Sequence, residues 1–373
     1  MTIFLPKVPS CKHCGAYRFY RESDHICCSR GEITLAESEL PPYLVSLITG
    51  TSAKSKEFQN MIRTYNNHFA FTSIGISCDG RYQRRDRGIY TVKVQGQVHH
   101  YLDDLFPQDA SKRMKGIQFY FYDSEHQVSN RISTLPRLDV SIVENLVEVL
   151  ESNPYGQFLK QVSQLENIDQ YCIVIRSDPG LDQRRYNKPL SNEVAAVWIE
   201  DENDENVNAD MLDIRVYTKS GRSHSVEYYY GCYDPLQYVL MFPRGEPGWH
   251  SNIPRVGYTI RRRTDTQEMN ITNCGSFEEI LAREQQEFKG TGIDIDEDVP
   301  SSQNQRRKRK IVSSREYYVY KLQDRINDKS YILRFGRLFQ QYIVDNYIKI
   351  ESMWLRFLIT NQKIQGGNIT KDS

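Results

Sequence analysis

The sequence holds no run of about 18 apolar residues, so nothing in it reads as a membrane-spanning helix. It also lacks net charge, because 48 Lys and Arg balance 48 Asp and Glu. No overall field draws the chain to nucleic acid, and any contact with DNA must come from local patches. Apolar residues are scarce at 39%, against roughly 45–50% in ordinary globular domains. Aromatics offset part of that deficit, with 25 Tyr and 15 Phe among 373 residues; the cores can still be sizeable, and part of the chain is expected to be loop. The opening Met1-Thr-Ile-Phe-Leu-Pro-Lys7 turns polar too soon for a secretory signal. Cysteine is not distributed as a disulfide framework: four of the eight fall before residue 30 and the others are scattered. That usage reads as an intracellular protein with one local metal site. No internal repeat is visible.

Several kinds of active site are missing too. Metal-assisted strand nicking needs two His alternating with a hydrophobe on one strand, plus a tyrosine nucleophile. No His-x-His occurs, and the adjacent His99 and His100 point to opposite faces of a strand, one inward and one outward. Tyr342 and Tyr347 are five apart, a poor match to one helix face, and Tyr342 reads as core. A phosphate loop ending in Gly-Lys-Ser/Thr is absent, since neither Gly290-Thr-Gly nor Gly366-Gly367 leads into Lys and a hydroxyl residue. No ATP site and no catalytic residues are therefore expected.

What is present suggests an α+β protein. Pro41 and Pro42 open a helical stretch over 36–66 in which Leu44, Leu47 and Ile48 share a face. Strands are expected at His68–Gly75, Ile89–Val94 and Val98–Leu102, the last two joined by a turn at Gly96-Gln97. The aromatic run Ile117–Tyr122 reads as a strand buried on both faces. Ser141–Ser152 is a helix facing the core with Ile142, Leu146, Val149 and Leu150, stopped by Asn153-Pro154. Tyr171–Arg176 is a strand with Cys172 as a packed hydrophobe, and 191–198 is a short helix or strand. An acidic loop, Glu200–Asn208, precedes a hairpin of Leu212–Thr218 and Ser223–Tyr230. Tyr228, Tyr229 and Tyr230 would alternate across its second strand. Trp249 should bury, at the end of a turn-rich segment that begins at Tyr233. Residues 289–314 combine like-charge blocks with few apolar groups and read as a disordered linker. The rest is helical, with one stripe of Tyr318, Leu322 and Ile326 and another of Leu338, Tyr342, Asp345 and Ile348.

The strongest site signal is at the N-terminus. Cys11 and Cys14 form a C-x-x-C knuckle, and Cys27 and Cys28 follow after a loop length ordinary for a structural zinc site. Adjacent cysteines share one ion only across a kinked backbone, so His25 could replace Cys27 as the fourth ligand; His13 is a further candidate. The segment has too few apolar residues to fold without the ion. Basic and aromatic residues surround it, Arg18, Arg21 and Tyr20 among them, a mixture suited to phosphates and unpaired bases. Similar mixtures occur at Arg84 and Arg85, at Arg184 and Arg185, and at Arg261, Arg262 and Arg263. The run Arg306, Arg307, Lys308, Arg309 and Lys310 reads as a nuclear localisation signal or a DNA-binding arm.

Several segments, in order, resemble the region of plant-type Helitron transposon proteins that precedes their catalytic domains. They are Cys11-Lys-His-Cys-Gly-Ala-Tyr-Arg-Phe-Tyr-Arg-Glu22, Cys27-Cys28, Phe69-Ala-Phe-Thr-Ser-Ile-Gly75 and Arg185-Tyr-Asn-Lys-Pro-Leu-Ser-Asn-Glu-Val194. The most specific are Tyr233-Asp-Pro-Leu-Gln-Tyr-Val-Leu-Met-Phe-Pro-Arg-Gly-Glu-Pro-Gly-Trp249 and Phe339-Gln-Gln-Tyr-Ile-Val-Asp-Asn-Tyr-Ile-Lys-Ile-Glu351. The resemblance implies a DNA-binding and scaffold region in the nucleus, acting on single-stranded DNA or transposon ends. It places nicking and unwinding in a rolling-circle initiator and a helicase beyond this region. The alternative is a transposon remnant serving, if at all, as a protein-interaction module. The expected layout is a zinc module over 1–35, a central α+β domain with mixed or antiparallel strands over 36–288, the charged linker over 289–314, and a helical segment over 315–373 that leads to the catalytic domain, its apolar face otherwise exposed.

Overall fold

The computed structural model describes residues 8–75, 99–107, 114–121, 127–166, 171–176, 183, 188–199, 214–217, 224–258, 310–326 and 328–366. They form an α+β protein with two compact units, each discontinuous in sequence. Described residues within Met1–Thr34, Ser251–Ile326 and Ile350–Ser373 make the first, and those within Leu35–His250 and Asn327–Lys349 the second. The layout therefore differs from four consecutive segments: the C-terminal part of the chain is divided between both units. No helix among the described residues is long and apolar enough to cross a membrane.

The second unit begins with α1 (Pro42–Thr49) and α2 (Ala53–Phe69). Pro42 suits the first helical turn, where its missing N–H would have no partner. Between the helices Gly50 is required, because a Cβ there would stand 2.3 Å from the Ser46 carbonyl oxygen. Ser52 then caps α2 by accepting from the Ser55 N–H. Phe58, Ile62, Tyr65 and Phe69 are buried along one side of α2. That stripe carries the helix through His68 and Phe69, so of the strand expected over His68–Gly75 only β1 (Ser73–Gly75) exists.

Of the run Ile117–Tyr122, the described residues 117–121 are likewise no strand. Gly116 (φ +44°) turns the chain so closely against Phe71 that a Cβ would meet its carbonyl oxygen at 2.5 Å. The Ile117 N–H bonds that same oxygen, and the aromatics coil into the single turn α3 (Gln118–Phe121). Burial on all sides holds, since Ile117, Phe119, Tyr120 and Phe121 are all inside; helix satisfies their backbone without a neighbouring strand. Three further helices follow: α4 (Gln127–Thr134), α5 (Val140–Leu150) and α6 (Pro154–Val162). Asp139 and Asn153 cap the last two. Along α5 the buried residues are Ile142, Val143, Leu146 and Leu150, with Val143 in the place expected for Val149.

Two antiparallel three-stranded sheets complete the unit. One has the order β1, β2 (His99–Leu102), β6 (His224–Val226); the other has β4 (Ala195–Ile199), β3 (Tyr171–Ile175), β5 (Ile214–Val216). Residues 191–198 are both helix and strand, because the turn α7 (Ser191–Val194) runs directly into β4. The hairpin expected between 212 and 230 does not form among the described residues. β5 lies beside β3, with Ile214 opposite Ile175 and Val216 opposite Ile173, and β6 lies beside β2. For β5, buried apolar partners on β3 outweigh chain proximity. Strand β6 ends at Val226, so Tyr228–Tyr230 lie in turns and do not alternate. The strand expected over 89–94, the turn at 96–97 and the acidic loop over 200–208 lie outside the described residues.

Trp249 is buried, as are Cys172 and Cys232. The short helix α8 (Tyr233–Gln237) faces a long one, α10 (Gly336–Gly366), whose residues to Lys349 belong to this unit. α10 buries a polar face here: Asp345, Asn346 and Lys349 are each at most 5% exposed.

His68 supplies a pH dependence. Its Nε2 lies 2.9 Å from the Arg131 carbonyl oxygen, an acceptor, so this nitrogen carries the proton of a neutral ring. Arg131 donates in return to the His68 carbonyl and stacks on Phe69, Phe119 and Tyr120. Burial, then the adjacent guanidinium, lower the His68 pKa to about 4. The unfolded chain takes up a proton below its ordinary value of 6.5 and the folded one does not until about 4. Stability is therefore complete above pH 6.5 and declines toward pH 4, by up to about 3 kcal/mol. Denaturant melts across that range check it: His68→Gln should flatten the slope, and a wild-type midpoint that ignores pH would disprove the account.

In the first unit, Ser313 and Glu316 form a capping box that starts α9 (Ser314–Lys321). Val312, 1% exposed, donates to the Ile253 carbonyl, and Ile311 bridges Pro254. Residues 310–314 thus belong to the fold and not to a linker; 289–309 lie outside the described residues. α9 stops at Lys321, where Leu322 caps it. Tyr318, Leu322 and Ile326 consequently form no common stripe, and Ile326 is exposed.

Candidate metal centre

The site is assembled from two backbone devices. In the first, the Gly15 N–H returns to the Cys11 carbonyl and the Cys11 N–H to that of Ala16, each at 2.8 Å. Gly15 takes φ +68°, a value that costs glycine nothing. This tight turn points Cys11 and Cys14 to one side. The second device is the kink that neighbouring cysteines need. Cys28 has φ −155° and ψ 18°, and Ser29, Arg30 and Gly31 follow at φ 47°, 57° and 89°. Two residues with side chains in the left-handed region cost roughly 1–2 kcal/mol each, and such strain persists only where the surroundings enforce it.

The result places all four Sγ atoms of Cys11, Cys14, Cys27 and Cys28 within 4.8 Å of one another. The Cys11–Cys28 separation is 3.8 Å and the Cys27–Cys28 separation 3.9 Å. A tetrahedral ion with bonds of about 2.3 Å to sulfur requires sulfur–sulfur edges of about 3.8 Å. The donor set could therefore hold a thiolate-bound metal ion. Cys11, Cys27 and Cys28 are buried and Cys14 is half-buried; none is in a disulfide. Among the described residues no other group of this kind occurs.

Backbone donors prepare the site for charge. Burial opposes ionisation of Cys11, but N–H groups of His13 and Cys14 and the thiols of Cys27 and Cys28 outweigh it and bring its pKa to about 7. The Gly31 N–H reaches the Cys28 Sγ at 3.2 Å. Burial and the neighbouring thiols nevertheless push Cys28 up to about 11, and Cys27 higher still. Four thiols so close together ionise together only if a cation joins them.

His25 and His13 are exposed and stand outside the cluster, so cysteines 27 and 28 both supply their sulfur to the four-thiol group. The sequence left that choice open because the kink at 28–31 has no signal beyond one glycine. Around the knuckle, Tyr17, Phe19 and Tyr20 are 53%, 73% and 44% exposed. Arg18 pairs with Asp24 at 2.6 Å, and the Arg21 guanidinium lies 5.3 Å over the Tyr20 ring. Arg84, Arg85, Arg184, Arg185, Arg261, Arg262, Arg263 and Arg306 to Arg309 lie outside the described residues. Lys310 is described and exposed, and its carbonyl accepts from the Arg255 N–H.

Sequence reasoning missed the residues that support the knuckle from far along the chain. Tyr320 packs against the cysteines, and Arg325 is bridged to Ala16. No periodicity or spacing links positions some 300 residues apart. No family model matches the chain, and no curated protein is significantly similar to it.

Proposed function

We propose that this chain is a non-catalytic DNA-binding and scaffold region of a Helitron-type rolling-circle transposon protein, built around a structural zinc ion. The observation that carries the reading is the exposed Tyr17–Arg21 loop, which is mounted directly on the four-cysteine cluster. Zinc is the ion favoured by four closed thiolate positions, since no open coordination site is left for chemistry. Three outward aromatics and the cations Lys12, Arg18, Arg21 and Arg30 suit the bases and phosphates of an unpaired strand. The sequence resemblance supplies the biological setting: a nuclear protein whose nicking and unwinding domains lie beyond this region.

Fluorescence anisotropy with a labelled single-stranded oligonucleotide tests the reading. Affinity should fall steeply with salt. Phe19→Ala and Tyr20→Ala should each weaken binding by roughly 1–3 kcal/mol, with zinc content unchanged. No binding, or binding indifferent to both substitutions, would defeat it. The alternative, a remnant that acts through protein contacts, draws on Val344 and Tyr347, 56% and 64% exposed on the second unit's stretch of α10. A stable protein complex lost in Tyr347→Ser, with no DNA affinity, would favour that alternative.

A further inference from the structure

We infer that the metal centre is a split module, in which the ion bound by Cys11, Cys14, Cys27 and Cys28 docks residues 311–326 onto the knuckle, with Arg325 as the positioning residue. The ligands come from one end of the chain and their cover from the other. Ala16 and Arg325 form an antiparallel bridge, the Tyr17 N–H donates to the Asp324 carbonyl at 2.8 Å, and the Ile326 N–H to that of Gly15 at 3.4 Å. The knuckle therefore takes its backbone pairing partner from the far segment. Gln323 adds a bond to Glu22 at 2.9 Å.

Arg325 sits where these contacts converge. Its guanidinium lies 3.8 Å from the centre of the Tyr320 ring, which packs on the cysteines. It donates to the carbonyls of Tyr320, Gln323 and Cys27. Its Nε is buried and has no acceptor among the described residues. Four thiolates around one divalent ion leave the centre net negative. A guanidinium held beside the backbone of one ligand offsets that charge, and groups that orient and neutralise metal ligands carry much of a site's affinity.

A second tie makes the coupling cooperative. Arg255, 5% exposed, bonds Glu32 just after the cysteine segment, Glu316 of the α9 capping box and the Ile311 carbonyl. Lys310, last residue of the basic run, enters the same assembly through its carbonyl. Whatever holds Cys27 and Cys28 in place thus also holds the start of α9. Binding that stabilises one arrangement stabilises everything locked to it, and the coupling is reciprocal. The inference needs the metal centre but not the DNA-binding reading.

The chain of residues 1–373 tests it, with Zn2+ as the ligand. Zinc affinity is measured by competition with a chromophoric chelator, and Co2+ substitution reports the thiolate set by its charge-transfer absorbance. Hydrogen exchange is followed in α9 and, as an internal reference, in α5. Removing the ion should raise exchange in Tyr317–Leu322 about tenfold or more and leave α5 unchanged. Arg325→Ala should weaken zinc binding roughly 10–100-fold, with Arg325→Lys between it and the wild type. Saturating zinc should restore α9 protection in Arg325→Ala, which a variant that simply misfolds would not do. Equal α9 protection with and without the ion, or an Arg325→Ala affinity within twofold of wild type, would overturn the split module. Failure of DNA binding with these results intact would overturn only the functional reading.

Discussion

Serine in place of Cys27 should end metal binding, whereas His25→Ala should leave it intact. The two residues were equivalent candidates on spacing alone, and geometry separates them: Cys27 is buried among the other thiols and His25 faces solvent. A hydroxyl does not ionise near neutral pH and is a poor partner for a thiolate-preferring ion. The loss should therefore exceed the roughly 10–100-fold that follows from removing a supporting hydrogen-bond partner. Structural zinc supplies on the order of 10–16 kcal/mol in small modules, and the apolar cluster around these cysteines is only Ala16 and Tyr320. Cys27→Ser should accordingly unfold the first unit, visible as lost zinc stoichiometry and rapid proteolysis within residues 8–34. Acid should act in the same direction. Cys28 and Cys27 have raised pKa values and Cys11 one of about 7, so the ion must displace protons, and affinity falls as pH falls. A Cys27→Ser chain that keeps its zinc, with His25→Ala losing it, would instead establish three cysteines and one histidine.

The contrast between the two ends of that site explains what the sequence could disclose. The four candidate ligands, Cys11, Cys14, Cys27 and Cys28, are close in sequence, with spacing set by the reach of tight turns, so they are legible. The residues that complete the centre, Tyr320 and Arg325, are joined to it by tertiary contact alone. Helices whose apolar residues follow a 3.6 period, such as α2 and α5, were readable within a few positions. Failures came where one run of residues satisfies two geometries. Ile117–Phe121 is apolar or aromatic apart from Gln118, so its burial was predictable but its backbone was not, and the choice fell to Gly116 and the Phe71 carbonyl. The pairing of β5 and β6 was misjudged for a related reason. A turn-like segment between two strands permits a hairpin but does not enforce one when the first strand finds buried apolar partners on β3 and the second pairs with β2.

Asp345→Ala should destabilise the second unit by about 3–5 kcal/mol, because three buried polar groups lose their shared acceptor at about 1–3 kcal/mol each. This carboxylate accepts from Tyr233 at 2.9 Å and Tyr238 at 2.8 Å, and His100 Nε2 lies at 2.9 Å. His100 also stacks on Tyr233 at 3.8 Å. Beside it Asp234 accepts from Tyr342 at 3.2 Å and lies 3.8 Å from Lys349 Nζ. Burial penalises the Asp345 charge, yet His100 and the two phenols more than compensate and hold its pKa below the ordinary value of 3.8. Its contribution is therefore present above pH 3.8 and is lost only as the pH falls through the lower, folded value. Acid between pH 6.5 and 4 should report His68 and leave Asp345 silent, which separates the two experimentally. Over residues 344–349 the arrangement departs from the usual pattern of a helix: α10 buries Asp345, Asn346 and Lys349 there and exposes Val344 and Tyr347. An apolar face would bind as strongly but in several registers, whereas a carboxylate with three fixed partners accepts one. On this argument Asp345→Leu should recover part of the stability lost in Asp345→Ala while broadening the NMR signals of Tyr233 and Tyr238. Denaturant midpoints of both variants test the first claim. A loss below about 1 kcal/mol in Asp345→Ala would mean that the network is incidental to the helix's position.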